Sequence, residues 1–195
     1  MTLFAVDAPP EPPLATERLR LRPLRRSDLD ALFQAVQETL PELVRWLPWA
    51  HPDYGRGDAR RFIRQARLAR VRNVTYESAI VDLEDHLVGI MGLHRLDWSR
   101  RSAGLGYWIR QSAWGHGYAT EAGSRTIEHG FQALGLNRIE AHAALQNHAS
   151  QRVLEKIGFR REGVARGLEA LAGRYVDHVQ YGLLRDDVLG PEARV

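Results

Sequence analysis

The chain has no cysteine among its 195 residues, so no disulfide can form and no acyl-cysteine intermediate is available to any chemistry it performs. Lysine is nearly absent too. Lys156 stands alone, almost all the positive charge is arginine, and the formal net charge is only +3. Without a basic run interleaved with aromatics, that mild excess argues against nucleic acid as a partner. Long apolar runs are missing: no stretch approaches the roughly 18 residues of a membrane helix. The N-terminus carries neither the basic start nor the apolar core of a secretory signal. The expectation is a soluble protein in a cytoplasmic, reducing setting, with no membrane partner.

Several catalytic signatures are lacking as well. No Gly-Lys-Ser/Thr follows the glycines at 115 and 117, which rules out a Walker loop, and Thr120 stands where a dinucleotide fingerprint needs its third glycine. The eight histidines include no His-Glu-x-x-His and have no thiols to assist them, so no metal is expected. No Gly-x-Ser-x-Gly marks a serine hydrolase.

What is present suits one compact domain, since 44% hydrophobic content in this length can bury a proper core. The proline-rich stretch Ala8 to Pro13 reads as an extended tail over 1–13, the domain spans 14–188 with regular structure starting near Glu17, and 189–195 forms a C-terminal tail. Arg18 to Leu24 alternates like a strand, and Ser27 and Asp28 offer an N-cap to a helix carrying Leu29, Leu32, Phe33 and Val36. Asp58 opens a second helix that runs to about Arg72. Strand-like runs follow at Tyr76 to Asp82, His86 to Leu93 and Ala103 to Ile109, which suit an antiparallel meander. Beyond a central helix come a strand from Arg138 to Ala144 and a helix from Ala149 to Ile157 closed by Gly158. The last strands are Phe159 to Glu162 and Tyr175 to Leu184.

The most informative stretch is Trp114-Gly115-His116-Gly117-Tyr118-Ala119-Thr120-Glu121-Ala122, a glycine-rich turn running into that central helix. Glycines let backbone N–H groups approach a ligand, and the first turn of a helix adds unpaired donors and the positive end of its dipole. Pyrophosphate is the natural guest. Ala119, Ala122, Gly123, Thr126, Ile127, Gly130, Phe131 and Leu134 recur at helical spacing and anchor the helix by one buried face.

A second segment, Leu145 to Phe159, reads as a strand end, Asn147-x-x-Ser150, a short helix and Gly158-Phe159. It resembles the second half of the acyl-CoA site in the GNAT superfamily of N-acyltransferases, and the Gly115 turn resembles that superfamily's pyrophosphate loop. The two lie in the right order, about thirty residues apart. Glu17 to Leu24 with Ser27-Asp28, Trp46-Leu47-Pro48-Trp49, Tyr107-Trp108-Ile109, Tyr118 to Ala122 and Asp177-x-x-x-Tyr181 resemble the ribosomal-protein-serine/alanine (RimJ/RimL-like) branch. One position departs: Ser112 opens the loop where the superfamily often has Arg or Gln, so one side-chain contact to phosphate is missing. The resemblance implies a mixed α/β fold, a single GNAT-like domain whose central, mostly antiparallel twisted sheet is flanked by helices. It implies acetyl-CoA as co-substrate and leaves a homodimer open.

Acetyl transfer to an amine needs a held thioester, a deprotonated amine, support for the oxyanion and a proton for the leaving thiolate. By resemblance, Tyr107, Trp108 and Ile109 lie where a splayed strand turns backbone N–H groups to the thioester oxygen, and Gly104 and Gly106 permit close backbone approach. Trp114, Gly115, His116, Gly117, Tyr118, Ala119 and Thr120 would hold the pyrophosphate, and Asn147 would contact pantetheine or position the substrate, serve as an N-cap, or do both. Ser150 would protonate the thiolate, or merely start its helix well. Glu169, in the segment between the last two strands, is the candidate base, with Glu77, Glu121 and Glu140 as rivals and Tyr181 as a reserve proton donor. Glu121 looks structural. Trp46 and Trp49 suit a shaped acceptor pocket or ordinary core. The acceptor expected is a protein N-terminal amine, such as that of a ribosomal protein; the alternatives are a small-molecule amine or a non-catalytic acyl-CoA-binding module.

Overall fold

The computed structural model describes residues 13–171 and 173–190, so all but the last residue of the proline-rich tail lies outside the described residues. Eight strands form one sheet: β1 (Leu14–Ala15), β2 (Leu19–Pro23), β3 (Tyr76–Asp82), β4 (Leu87–Asp97), β5 (Ser102–Ile109), β6 (Arg138–Ala144), β7 (Arg160–Leu171) and β8 (Arg174–Leu184). Their order is β1-β2-β3-β4-β5-β6-β8-β7. Every neighbouring pair is antiparallel except β5 with β6. The helices are α1 (Leu29–Trp46), α2 (Arg56–Val71), α3 (Tyr118–Gln132), α4 (His148–Lys156) and α5 (Arg185–Leu189).

Strand alternation sorts the core into two layers. Met91, Leu93, Ala103, Leu105 and Ile139 face α3, meeting Ile127 and Phe131. Ala79, Val81, Ile90 and Trp108 face the other way, against Leu32, Val36 and Ile63 of α1 and α2. The first layer packs the central helix by the stripe its sequence spacing predicts.

Three boundaries differ from the sequence reading. The sheet begins at Leu14, before Glu17, because Leu14 and Ala15 pair with Leu21 and Arg20. Leu189, assigned to a tail, ends α5 and packs against the core. The largest difference is β7, which continues to Leu171 where a loop was expected after Glu162. Its register against β8 shifts between Ala165 and Glu169, at a bulge where Gly167 has φ +57° and donates its N–H to Asp177 Oδ1 at 2.8 Å. Alternation breaks at a bulge, so the sequence pattern faded there although pairing resumes at Glu169 and Val176.

Candidate active site

Strand β5 pairs with β6 only from Ser102 to Gly104, against Arg138 to Glu140; beyond that the two strands part. On its other edge β5 stays paired with β4 as far as Ile109. Arg110 N donates to Val88 O at 2.9 Å, which sets the parity of that ladder. Trp108 and Gly106 turn their backbone groups to β4, and Leu105, Tyr107 and Ile109 turn theirs into the gap. Tyr107 and Ile109 therefore present free-edge backbone where the thioester oxygen is expected. Trp108 contributes its side chain to the opposite layer instead. Trp114 Nε1 caps the edge by donating to Ile109 O at 2.7 Å.

The turn after β5 is clamped from α1. Glu38 accepts from the Ser112 N–H and from the Arg110 guanidinium, Nε lying 3.0 Å away, and Thr39 Oγ1 accepts from Gln111 N at 3.0 Å. The Arg110 hydrogen bonds, aided by Ser112 and opposed by partial burial, hold the Glu38 acid down at about 2. Ser112 thus offers no long side chain to phosphate, but its backbone fixes where the turn begins. Gly115 and Gly117 follow at φ +79° and +78°, a left-handed conformation that favours glycine, and a Cβ at Gly115 would meet only open space. Among the described residues the backbone N–H groups of Gly115 to Thr120 make no hydrogen bond within the protein. Six successive donors at the start of a 15-residue helix fit a pyrophosphate. His116 turns outward, its ring stacked on Tyr118 at 5.4 Å, with the Arg18 guanidinium 4.9 Å from that ring. Glu121 is structural, as expected: it accepts from Thr16 Oγ1, Arg18 N and Arg18 Nε at 2.6, 2.9 and 2.8 Å.

A cavity of about 970 Å³ occupies the gap between β5 and β6. Among the sequence candidates, Tyr107, Trp108, Ile109, Trp114, Gly115, Gly117, Tyr118, Ala119, Thr120, Asn147, Ser150, Glu169 and Trp46 all line it, and His116 and Trp49 do not. Asn147 caps α4, its Oδ1 accepting from Ser150 N at 3.1 Å. Ser150 Oγ lies 2.9 Å from the Tyr107 hydroxyl, which also donates to Ser150 O at 3.2 Å. Burial pushes the Tyr107 phenol up to about 12 against the opposing Ser150 bond, so it stays protonated and can support a proton leaving Ser150. Sequence reasoning took Tyr107 for its backbone alone; its place on the α3 side of β5 is the signal that would have paired it with α4.

The bulge in β7 carries Glu169 to the same cavity. Its Oε2 is 3.5 Å from Nε2 of His178, a buried ring whose Nδ1 donates to Val176 O at 3.1 Å. With Nδ1–H committed to that carbonyl, Nε2 is the edge that meets the carboxylate, and a proton taken up by Glu169 can be shared with it. His142 lies close by, held 2.8 Å from Arg95, and burial with the Arg95 charge lowers its pKa. The rivals stand elsewhere. Glu140 binds Arg138 Nε at 2.9 Å, and Tyr181 is buried in the core with its hydroxyl on Glu155 at 3.2 Å, lining neither cavity. The reserve donor role for Tyr181 is therefore corrected: its hydroxyl is engaged by Glu155 and it lines neither cavity.

Gly104 and Gly106 also serve a different end from the one expected. A Cβ on Gly104 would fall 2.6 Å from His94 Nε2, and one on Gly106 3.1 Å from His94 Cε1, so their missing side chains make room for that ring. Burial, with the Arg95 charge, lowers His94 to about 4, and it is neutral at neutral pH. Trp49 and Glu77 line a second cavity of about 610 Å³ under α1 and α2. Among the described residues no cluster of His, Asp or Glu is arranged to hold a metal, and no helix is long and apolar enough to cross a membrane.

Residues 18–160 match the family model described as the acetyltransferase (GNAT) domain. The chain is similar to the uncharacterized N-acetyltransferase p20 of Bacillus licheniformis, 33% identical over 180 residues that cover 91% of this chain and 98% of the relative. It is also similar to the ribosomal-protein-serine acetyltransferase of Escherichia coli, 25% identical over 171 residues covering 88% and 95% of the two chains. In fold it resembles RimL, a ribosomal L7/L12 alpha-N-protein acetyltransferase solved with coenzyme A, at a TM-score of 0.84 and 22% identity, covering 90% of this chain and 99% of that one.

Proposed function

The chain belongs to the acetyltransferase (GNAT) family and is an acetyl-CoA-dependent N-acetyltransferase, and from that premise we propose that its acceptor is the N-terminal α-amino group of a protein, such as a ribosomal protein. The observation that carries the proposal is the single cavity at the β5–β6 gap, which gathers the backbone edge of Tyr107 and Ile109, the Ser150–Tyr107 pair and the Glu169–His178 pair. Acetyl-CoA supplies the acetyl thioester, and this chain's residues do the rest. The Gly115 turn and the start of α3 hold the pyrophosphate. The N–H groups of Tyr107 and Ile109 support the oxyanion as the amine nitrogen bonds to the carbonyl carbon.

Glu169 accepts the amine proton, directly or through water, and once protonated it can share that proton with Nε2 of His178. An α-amino group has a pKa near 8, so about a tenth is already neutral at pH 7 and the demand on the base is modest. As the carbon–sulfur bond breaks, the Ser150 hydroxyl gives a proton to the thiolate and is replenished through Tyr107. Lacking cysteine, the chain transfers acetyl in a ternary complex, in the cytoplasm where this reading places it.

A thiol-release assay with N-terminal peptides and small amines, followed by mass spectrometry of the products, tests the assignment. An acetyl group on the peptide α-amine, one thiol released per acetyl, is the expected result. Turnover with small amines alone would move the acceptor to that class. Acetyl-CoA binding without turnover on any amine would make the chain a binding module.

A further inference from the structure

Glu77 is a carboxylate beside the gap that acetyl transfer leaves unused. In register it stands next to Gly92, which stands next to Gly106, so the sheet is bare backbone for two strands beyond it. The side chain lies in that trough: a Cβ on Gly92 would fall 2.3 Å from Glu77 Oε2. His94 fills the next step, over Gly104 and Gly106. Above the trough is the 610 Å³ cavity, walled by Trp49, Tyr54 and Trp108, with the Trp49 ring 5.8 Å from Tyr54 and 6.3 Å from Trp108.

Arg70 is the cation whose charge bears on the carboxylate. Arg61 at the cavity wall is ion-paired with Asp58. Arg70 donates to the Glu77 carbonyl at 3.2 Å and to Ser78 Oγ at 3.0 Å, and among the described residues no hydrogen bond or ion pair reaches the Glu77 carboxylate itself. Burial, opposed by the Arg70 charge, lifts the Glu77 acid to about 7, so a cation arriving in the cavity would draw it to the ionised form. A carboxylate among aromatic walls is receptor chemistry for an alkylammonium, which gains a charged hydrogen bond and the ring faces together.

The two cavities share Leu47, Pro48, His94, Gly106, Tyr107 and Trp108, so an acceptor with its reacting amine in the gap has a path into the smaller one. We propose that the smaller cavity is a subsite for a second, positively charged group of the acceptor, an ammonium on an aliphatic stem, with Glu77 as counterion and Trp49, Tyr54 and Trp108 as walls. The inference rests on the gap being the acetyl-transfer site and narrows its acceptor. The second cation is a basic side chain close to a protein N-terminus or the far end of a diamine.

Calorimetry of the CoA-bound protein with 1,5-diaminopentane as probe tests the subsite without turnover. Wild type should bind it, and Glu77→Gln should weaken binding about 10- to 100-fold, the range for a hydrogen bond to a charged group. No binding to wild type, or equal binding to both, overturns the proposal. Trp49→Leu, at an exposed position, provides a second variant with the same expected direction if Glu77→Gln fails to fold. In turnover, kcat/KM for a peptide beginning Ser-Lys should exceed that for Ser-norleucine, and 1,5-diaminopentane should exceed 1-aminopentane, with both preferences collapsing in Glu77→Gln. Equal rates within each pair overturn the subsite and leave the proposed function standing. Diamine turnover without peptide turnover does the reverse. An equal loss of about 10²–10⁴-fold for both members of a pair in Glu77→Gln would make Glu77 the general base and overturn the subsite.

Discussion

In the proposed reading the two faces of the sheet recognise their ligands by different means. On the α3–α4 face the contacts are mostly backbone: the N–H groups of Gly115 to Thr120, unpaired among the described residues, and a short helix whose cap is fixed by Asn147. On the opposite face they are side chains from distant strands, Glu77, His94, Glu169 and His178, placed over glycines or brought round by a bulge. On that reading the donor is held by chain geometry, which glycine spacing specifies locally, and the acceptor is met by individual groups that only the sheet register brings together. Substitutions on the first face should act through affinity for CoA, and those on the second through acceptor choice and pH.

The largest effect sharpens the contrast at the boundary between the faces. Ser150→Ala should lower kcat about 10²–10⁴-fold, the range for a general acid, and Tyr107→Phe should reproduce part of that loss by removing the hydroxyl 2.9 Å from Ser150 Oγ. Single-turnover rates at saturating acetyl-CoA would read it. If Tyr107→Phe is neutral while Ser150→Ala is not, the hydroxyl pair is only a packing contact.

Gly117→Val attacks the donor face directly. At φ +78° a β-branched residue is strained, and its side chain would crowd the approach of phosphate, so CoA affinity should fall by about 2–4 kcal/mol. Unchanged affinity by calorimetry in a folded variant would break the claim that backbone carries donor binding.

A smaller effect belongs to the acceptor face. Glu77 has a folded pKa of about 7, raised from 4.5, so the folded state binds its proton more tightly than the unfolded chain does. Its ionisation then weakens the fold progressively as pH rises from 4.5 through 7, and below 4.5 the penalty is absent. Glu77→Gln should accordingly gain stability at pH 8 relative to pH 4, on the order of 3 kcal/mol. Denaturant titrations at the two pH values showing the same difference would contradict the burial of this acid.

The smallest effect concerns the clamp. Glu38 is depressed to about 2, so its contribution is fully present above the unfolded value of 4.5 and is lost as pH falls from there through 2. Glu38→Gln should cost about 1 kcal/mol at pH 7, less as the medium is acidified, and should loosen the start of the Gly115 turn. A loss that does not shrink on acidification would remove the carboxylate from that role.

How much of this was legible follows the same division. The turn from Trp114 to Ala122, the buried stripe of α3, the strand Arg138–Ala144 and the Asn147 cap could all be read from local spacing, because each is a short-range property of the chain. Glu169 could be picked out by resemblance but was placed in a loop, since the bulge at Gly167 interrupts the alternation that marks a strand. Gly104 and Gly106 stand out in the sequence, but the room they make for His94 on the neighbouring strand does not, because cross-strand register is invisible without the fold. Glu38 carried no local signal, being an ordinary helix acid until it meets Arg110, 72 residues on.

The most direct test of the account is the pH dependence of kcat/KM for Glu169→Gln against wild type on an N-terminal peptide. With Glu169 as base, the variant should be about 10²–10⁴-fold slower at pH 7 and approach wild type above about pH 9, where an α-amine of pKa near 8 deprotonates unaided. A ratio that is constant across the range, or no loss at pH 7, would contradict it.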